Sequence, residues 1–129
     1  MNIATHQAIE QSLCGTALDV ESDFSRVELV TLQSMAADAS GLVHGGFVFS
    51  LADYAAMIAV NHPNTVLGSA DVRFMKPVRV GECLLAEAIV EKRIEKKILV
   101  RVIVRRQDED VFSGLFTCFT PQRHVLVDT

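Results

Sequence analysis

One segment constrains this chain more than any other: Val43-His44-Gly45-Gly46-Phe47-Val48-Phe49-Ser50-Leu51-Ala52-Asp53. Adjacent glycines open a run that is apolar on nearly every helical side as far as Val60. Asn61-His62-Pro63-Asn64 ends it, because proline cannot continue a helix and disfavours helix at His62. A helix that is apolar all round belongs in the middle of a fold. The exception on it is Asp53, eight residues after Gly45. An unpaired buried carboxylate is costly or stays protonated, so its presence in such a helix implies a use. The free N–H groups of Gly45 and Gly46 sit at the positive end of the helix dipole, where they anchor an anion or a polarised carbonyl oxygen. A lone acid and oxyanion donors together point to acyl chemistry.

The rest of the chain supplies a wrapper. Residues 16–21 and 24–32 read as strands joined at Ser22-Asp23, and residues 66–76, 83–93, 97–106 and 111–120 as four more. In the segment 97–106, Ile98, Val100, Val102 and Val104 face one way while Lys97, Arg101 and Arg105 face the other. The links 77–82, 94–96 and 107–110 are short, which predicts that successive strands pair as antiparallel hairpins. Residues 5–13 read as a short helix stopped by Gly15, residues 33–43 as a loop, and residues 46–60 as the central helix. The expectation is an α+β fold: one long antiparallel sheet curved around one helix, as a single domain over residues 1–129, with no repeat or linker.

Composition narrows the partners. Half of the 129 residues are hydrophobic and 22% are charged, which fits a globular chain and not a disordered one. A net charge of -4 argues against nucleic acid. Ten of the twelve basic residues nevertheless lie between Arg73 and Arg106, on segments that read as solvated strand faces or as a surface for phosphates. Cys14, Cys83 and Cys118 are odd in number and far apart, so no metal spacing or disulfide framework follows, and a cytoplasmic protein is expected. The N-terminus lacks the pattern of a signal peptide, and residues 47–60 are too short to span a bilayer. No membrane association is expected.

The order of elements, with His44-Gly45-Gly46 at the helix entry and Asp53 nine residues after the histidine, resembles the hotdog-fold acyl-CoA thioesterases. The subgroup it resembles is the PaaI-like one, of the phenylacetic acid degradation type. Asp71-Val72-Arg73-Phe74-Met75-Lys76-Pro77 and Gly81-Glu82 carry the likeness into the second half. It implies that Asp53 is general base or nucleophile and that the Gly45 N–H binds the thioester oxygen, with Gly46 as helper. It makes His44 a residue that shapes the turn and contacts substrate. It also implies a homodimer, or a dimer of dimers, and no cofactor beyond the CoA of the substrate. Two positions depart from the pattern. Asp38 stands where many relatives carry an asparagine, and the N-terminal region offers only Gln7 and Gln11 where others carry one. Beside Asp53, Asp38 would raise the apparent pKa of the pair by like-charge repulsion.

A thioester expels a thiolate whose conjugate acid has a pKa of about 8.5, so activated water and an oxyanion donor suffice. The chain has no Gly-x-Ser-x-Gly elbow, zinc spacing or phosphate loop to compete with this. Ser50, one turn before Asp53, is a candidate helper, and Phe47, Phe49 and Phe74 are candidate pocket walls or plain core. Arg73, Lys76 and Arg79 are the candidate contacts for CoA phosphates. Two other classes stand beside hydrolysis. One is an acyl-CoA-binding sensor, because Val111-Phe112-Ser113-Gly114-Leu115-Phe116 resembles hotdog domains that bind malonyl-CoA to control a regulator. The other is a hydratase, with His44 drafted as acid–base partner.

Overall fold

The computed structural model describes residues 2–127. Six strands form one antiparallel sheet: β1 (Thr16–Glu21), β2 (Phe24–Val30), β3 (Val66–Phe74), β4 (Cys83–Ile94), β5 (Lys97–Arg106) and β6 (Glu109–Phe119). A four-residue helix α1 (Gln11–Cys14) precedes β1, and the long helix α2 (Gly45–Val60) lies between β2 and β3. The alternation expected in β5 holds: Ile98, Val100, Val102 and Val104 are buried against α2. Leu84, Ala86 and Ala88 of β4 and Val27 and Leu29 of β2 join them on the concave face. Extra residues in β1, β3, β4 and β6 bend the strands, as an unmatched residue on one side of a ladder does. A sheet bent in this way wraps a helix, which is the hotdog arrangement. No helix among the described residues is long and apolar enough to cross a membrane.

Sheet order departs from the expectation of successive hairpins. It runs β1-β2-β4-β5-β6-β3, so the β1–β2, β4–β5 and β5–β6 hairpins form but β3 does not pair with β4. Instead β3 lies antiparallel to β6 at the far edge, with Val66 opposite Phe119 and Phe74 opposite Phe112. The flank of β4 is taken by β2, in unbroken register from Phe24–Ile89 to Val30–Cys83. The link after β3 must therefore cross about 14 Å, three strand spacings, which a handful of extended residues spans easily. It is laced to the loop before α2: Val43 N–H donates to Val78 O and Val80 N–H to Gly41 O, each at 2.8 Å. This crossing brings Phe74 and Pro77 beside the start of α2.

The N-terminal segment also differs from the expectation of a helix over residues 5–13. His6 has a left-handed backbone (φ 53°), and only Gln11–Cys14 is helical. The chain before it is tied to the end of α2, where Asn61 accepts from Ala4 N–H at 2.8 Å and donates to Asn2 O at 2.7 Å. Those bonds demand an extended strap. Asn61 itself ends α2 in a left-handed conformation, with Pro63 two residues on.

Burial along α2 is uneven. Every residue from Tyr54 to Val60 is buried. Before that, Gly46, Phe49, Ser50 and Asp53 remain at least partly open. Their spacing of i, i+3, i+4 and i+7 makes one stripe of the helix that the chain's own sheet covers only in part.

Candidate active site

α2 begins at a turn that leaves two amides free. His44 is the extended residue at its N-cap (φ -63°, ψ 132°), its N–H donates to Met35 O at 2.9 Å, and its side chain caps nothing. The first intrahelical donor is Phe47 N–H, to His44 O at 3.0 Å. Gly45 and Gly46 N–H have no acceptor among the described residues, as expected of the first positions of a helix. A side chain at either glycine would meet an aromatic ring that has to shift by a few tenths of an ångström. A Cβ on Gly45 would lie 3.2 Å from Cε2 of Phe74, and one on Gly46 would lie 3.1 Å from the His44 ring. His44 thus covers Gly46 and meets Phe47 edge-on, ring centroids 6.2 Å apart.

Asp53 stands two turns further along the open stripe. Its Oδ1 is buried and has no hydrogen-bond partner among the described residues. Burial alone pushes its pKa up to about 6. Two thiols lie close enough to feel its charge. Cys118, from β6, is raised to about 12 by burial and then by Asp53. Cys14, at the end of α1, is raised by burial, then by Asp53 and Glu10, while the Ser50 hydroxyl works the other way. Asp38 contributes nothing to the shift of Asp53 within the chain. It lies on the surface loop, accepting from Ser40 N–H at 2.9 Å and Ser40 Oγ at 2.6 Å, and these bonds hold its carboxyl below the usual range.

One cavity borders the glycine turn and a second lies beside the first. The first, of about 280 Å³, is walled by Val43, Gly45, Val48, Phe74, Lys76 and Val111 among others. The second, of about 490 Å³, is lined by Ser40, Leu42, Pro77, Arg79, Glu82 and Arg106, and Pro77 borders both. Gly45, Phe74 and Lys76 therefore come together, with Arg79 next door. Arg73 does not join them: it faces Ser113 across β3–β6, between Val72 and Phe74, and so points to the opposite face of the sheet. Of the three candidate aromatic walls only Phe74 lines either of these two cavities. It packs edge-on against Phe112 (5.0 Å), while Phe49 packs on Phe116 (5.5 Å) inside the fold.

Several of the basic residues in the second half are already paired. Arg101 pairs with Glu91, Arg105 with Glu87 and Asp110, Arg106 with Glu82 and Glu109, and Lys76 with Glu109 at 3.4 Å. Such exposed pairs contribute roughly 0–1 kcal/mol each. The Arg79 guanidinium has no carboxylate partner among the described residues. Sequence reading overlooked Arg106 and Cys14. Arg106 follows a strand pattern that reads as surface, and in the N-terminal region the amides of Gln7 and Gln11 are the more prominent polar groups. Both are engaged locally: Gln7 Nε2 donates to Ile3 O, and Gln11 Oε1 accepts from the Thr16 hydroxyl.

Comparison with known proteins agrees with this geometry. Residues 40–113, more than half of the chain, match the thioesterase superfamily. A crystal structure of a protein from Pyrococcus horikoshii superposes with a TM-score of 0.96 at 46% identity, covering 98% of this chain and 97% of that one. A point mutant of the phenylacetic acid degradation protein PaaI from Thermus thermophilus has the same fold, with a TM-score of 0.78 at 24% identity over 86% and 96% of the two chains. Among curated proteins, a putative esterase of Deinococcus radiodurans is 35% identical over 78% of this chain and 69% of its own. A methylthioribose-1-phosphate isomerase of Aquifex aeolicus is 48% identical over 92% of this chain, which spans only 26% of that protein. The transcription factor FapR of Caldanaerobacter subterraneus is 31% identical over 58% of this chain and 38% of its own. The matched segment runs from the loop before α2 through β3, β4 and β5 into β6, and on that ground the chain belongs to the thioesterase superfamily.

Proposed function

We propose that the chain hydrolyses acyl-CoA thioesters to the free acid and CoA, with Asp53 as general base or nucleophile and the Gly45 N–H, helped by Gly46, as oxyanion donor. The observation that carries this reading is the buried carboxylate without a donor, poised at a pKa of about 6, on the same helix as two free amides. A base of that strength is ionised at neutral pH yet still takes a proton from water as it attacks. Charge then develops on the thioester oxygen, where a fixed N–H stabilises it most. The departing thiolate needs no proton donor, because its conjugate acid has a pKa of about 8.5.

One copy of the chain cannot bring these groups to one carbonyl. Gly45 and Asp53 are eight residues apart on α2, about 12 Å along its axis. A carbonyl and the attacking water must approach to roughly 3–3.5 Å. The unit we propose is therefore a symmetric dimer with the glycine turn of one copy facing the acid of the other. The partly covered stripe of α2 and the unpaired outer edge of β3 are the surfaces such a dimer would use.

A second reading, an acyl-CoA-binding sensor, draws on the likeness to the transcription factor FapR. Thiol release from short, long and aromatic acyl-CoAs decides between the two, since a sensor binds without turnover. Mixing Gly45→Pro and Asp53→Asn chains tests the shared site. Proline suits the first position of a helix and removes only the N–H, and exposed Phe74 has room to yield to its ring. Mixed dimers, about half of the population with one intact site each, should recover about a quarter of wild-type turnover. Verified mixed dimers that stay inactive would sink the shared site.

A further inference from the structure

The link between β3 and β4, residues 75–82, walls both cavities: Lys76 and Pro77 border one, and Pro77, Arg79 and Glu82 the other. Backbone bonds tie its ends to the sheet. At its start Met75 N–H donates to Val111 O of β6 at 2.8 Å, and at its finish Thr31 N–H, just past β2, donates to Glu82 O at 3.0 Å. Between these ends Pro77 has no N–H to give. Its carbonyl is held by a side chain instead. Arg106, the last residue of β5, donates from Nη1 to Pro77 O at 2.7 Å and to Glu82 Oε1 at 3.1 Å. The same Oε1 accepts from Arg79 N–H at 2.7 Å. Nη2 of Arg106 donates to Glu109, which also pairs with Lys76 at 3.4 Å. The glycine turn leans on this link: Val78 O accepts from Val43 N–H, Val80 N–H donates to Gly41 O, and Phe74, just before the link, lies against Gly45.

We propose that Arg106 is a positioning residue for the reaction: from β5 it bonds Pro77 O and Glu82, fixes the β3–β4 link, and through Val43 and Phe74 fixes the direction of the Gly45 N–H. This rests on that N–H being the oxyanion donor. Such a donor works by being in place before charge develops, and a misplacement of about 1 Å costs about 10²-fold. Arginine suits the role and lysine does not, because a planar fork of donors holds a carbonyl and two carboxylates at once. Set between Glu82 and Glu109, the guanidinium of Arg106 already has its counter-charges, which separates its role from that of Arg79 in the same cavity.

The test compares wild type, Arg106→Ala and Arg106→Lys on two substrates. One is the acyl-CoA that wild type turns over fastest. The other is the same acyl group on N-acetylcysteamine, which carries the thioester end of CoA without its phosphates. Arg106→Ala should lower kcat for the acyl-CoA about tenfold, and kcat/KM for the short thioester by the same factor, as an interaction made in the transition state is lost. Amide hydrogen exchange gives a readout independent of turnover: Val43 and Val80 should exchange about tenfold faster, with Val100 and Val102 of β5 unchanged. Arg106→Lys keeps the charge between the two glutamates and preserves the fold where alanine does not, and it should show both effects in reduced size. A loss confined to the acyl-CoA would make Arg106 a phosphate contact and overturn the proposal. So would exchange that quickens equally in β5, the mark of general loosening, or normal turnover of both thioesters beside fast exchange at Val43 and Val80. A lysine variant that matches wild type in every assay would show that charge alone suffices, and overturns it too. If wild type hydrolyses neither thioester the proposed function fails, and the exchange pattern still decides whether Arg106 holds the link.

Discussion

The two halves of α2 share one helix and one sheet, yet they are built to opposite rules. From Tyr54 to Val60 no residue is more than 9% exposed, and the side chains are alanine, methionine, isoleucine, valine and one tyrosine. From Gly45 to Asp53 the helix keeps bare amides, a half-open stripe and a carboxyl group deprived of a donor. The first half is tolerable only because the second holds it. Burial of the C-terminal turns supplies the stability, and the N-terminal turns spend some of it on groups that a purely structural helix would not keep.

The comparison breaks most sharply at Asp53. Asp53→Asn keeps the shape and removes the basicity, so kcat for thioester hydrolysis should fall by roughly 10²–10⁴-fold with little change in fold or CoA affinity. Turnover near the wild-type rate would remove Asp53 from the mechanism. The mirror experiment is Ile58→Ala, at a position with 0% exposure on the sealed half. It should cost about 2–5 kcal/mol of unfolding free energy while leaving kcat per folded molecule unchanged. Denaturant melts read the first and titrated active sites the second. A loss of kcat as large as that of Asp53→Asn would show that the halves are not separable.

The same acid should leave a mark on stability against pH. With its folded pKa raised from 3.8 to about 6, the folded protein holds a proton between these values that the unfolded chain has released. Stability from this group is therefore full below pH 4 and falls as pH rises through 6, by up to about 2–3 kcal/mol. Asp53→Asn should accordingly melt higher than wild type at pH 8 and at nearly the same temperature at pH 4. Equal melting temperatures at both values would mean that burial does not strain the carboxylate.

How much of this was legible beforehand follows from how local each signal is. The span of α2 and the inward set of β5 are written in hydrophobic period and in Pro63, so both were readable to within a residue or two. The position of β3 was not, because a short link restricts only distance, and the competition of β2 for the flank of β4 is a property of the whole sheet. The strap before α1 escaped because its conformation is set by Asn61, more than fifty residues away. At the site, Gly45 and Asp53 stood out by type and spacing. Cys14 did not, since a cysteine after a weak helical pattern carries no sign of the side chain it will meet.

The smallest expected effect concerns the mouth of the open half, where the sequence offered Arg73, Lys76 and Arg79 on equal terms. The structure separates them. Arg79 lines the cavity of about 490 Å³ beside Arg106, and its guanidinium has no carboxylate partner among the described residues. Lys76 reaches the neighbouring cavity but is engaged with Glu109, and Arg73 faces away across the sheet. If the phosphates of CoA are held here, the free cation matters most. Arg79→Ala should raise KM for an acyl-CoA about 3–10-fold, equivalent to about 1 kcal/mol, without changing kcat. Lys76→Ala should do less, because its ammonium is already engaged with Glu109. Arg73→Ala should do nothing. Because the contact is exposed, the Arg79 effect should shrink as salt is added, and wild-type KM should rise toward that of the variant. Equal effects of Arg73→Ala and Arg79→Ala at low salt would point to a diffuse field of positive charge rather than to a phosphate seat in this cavity.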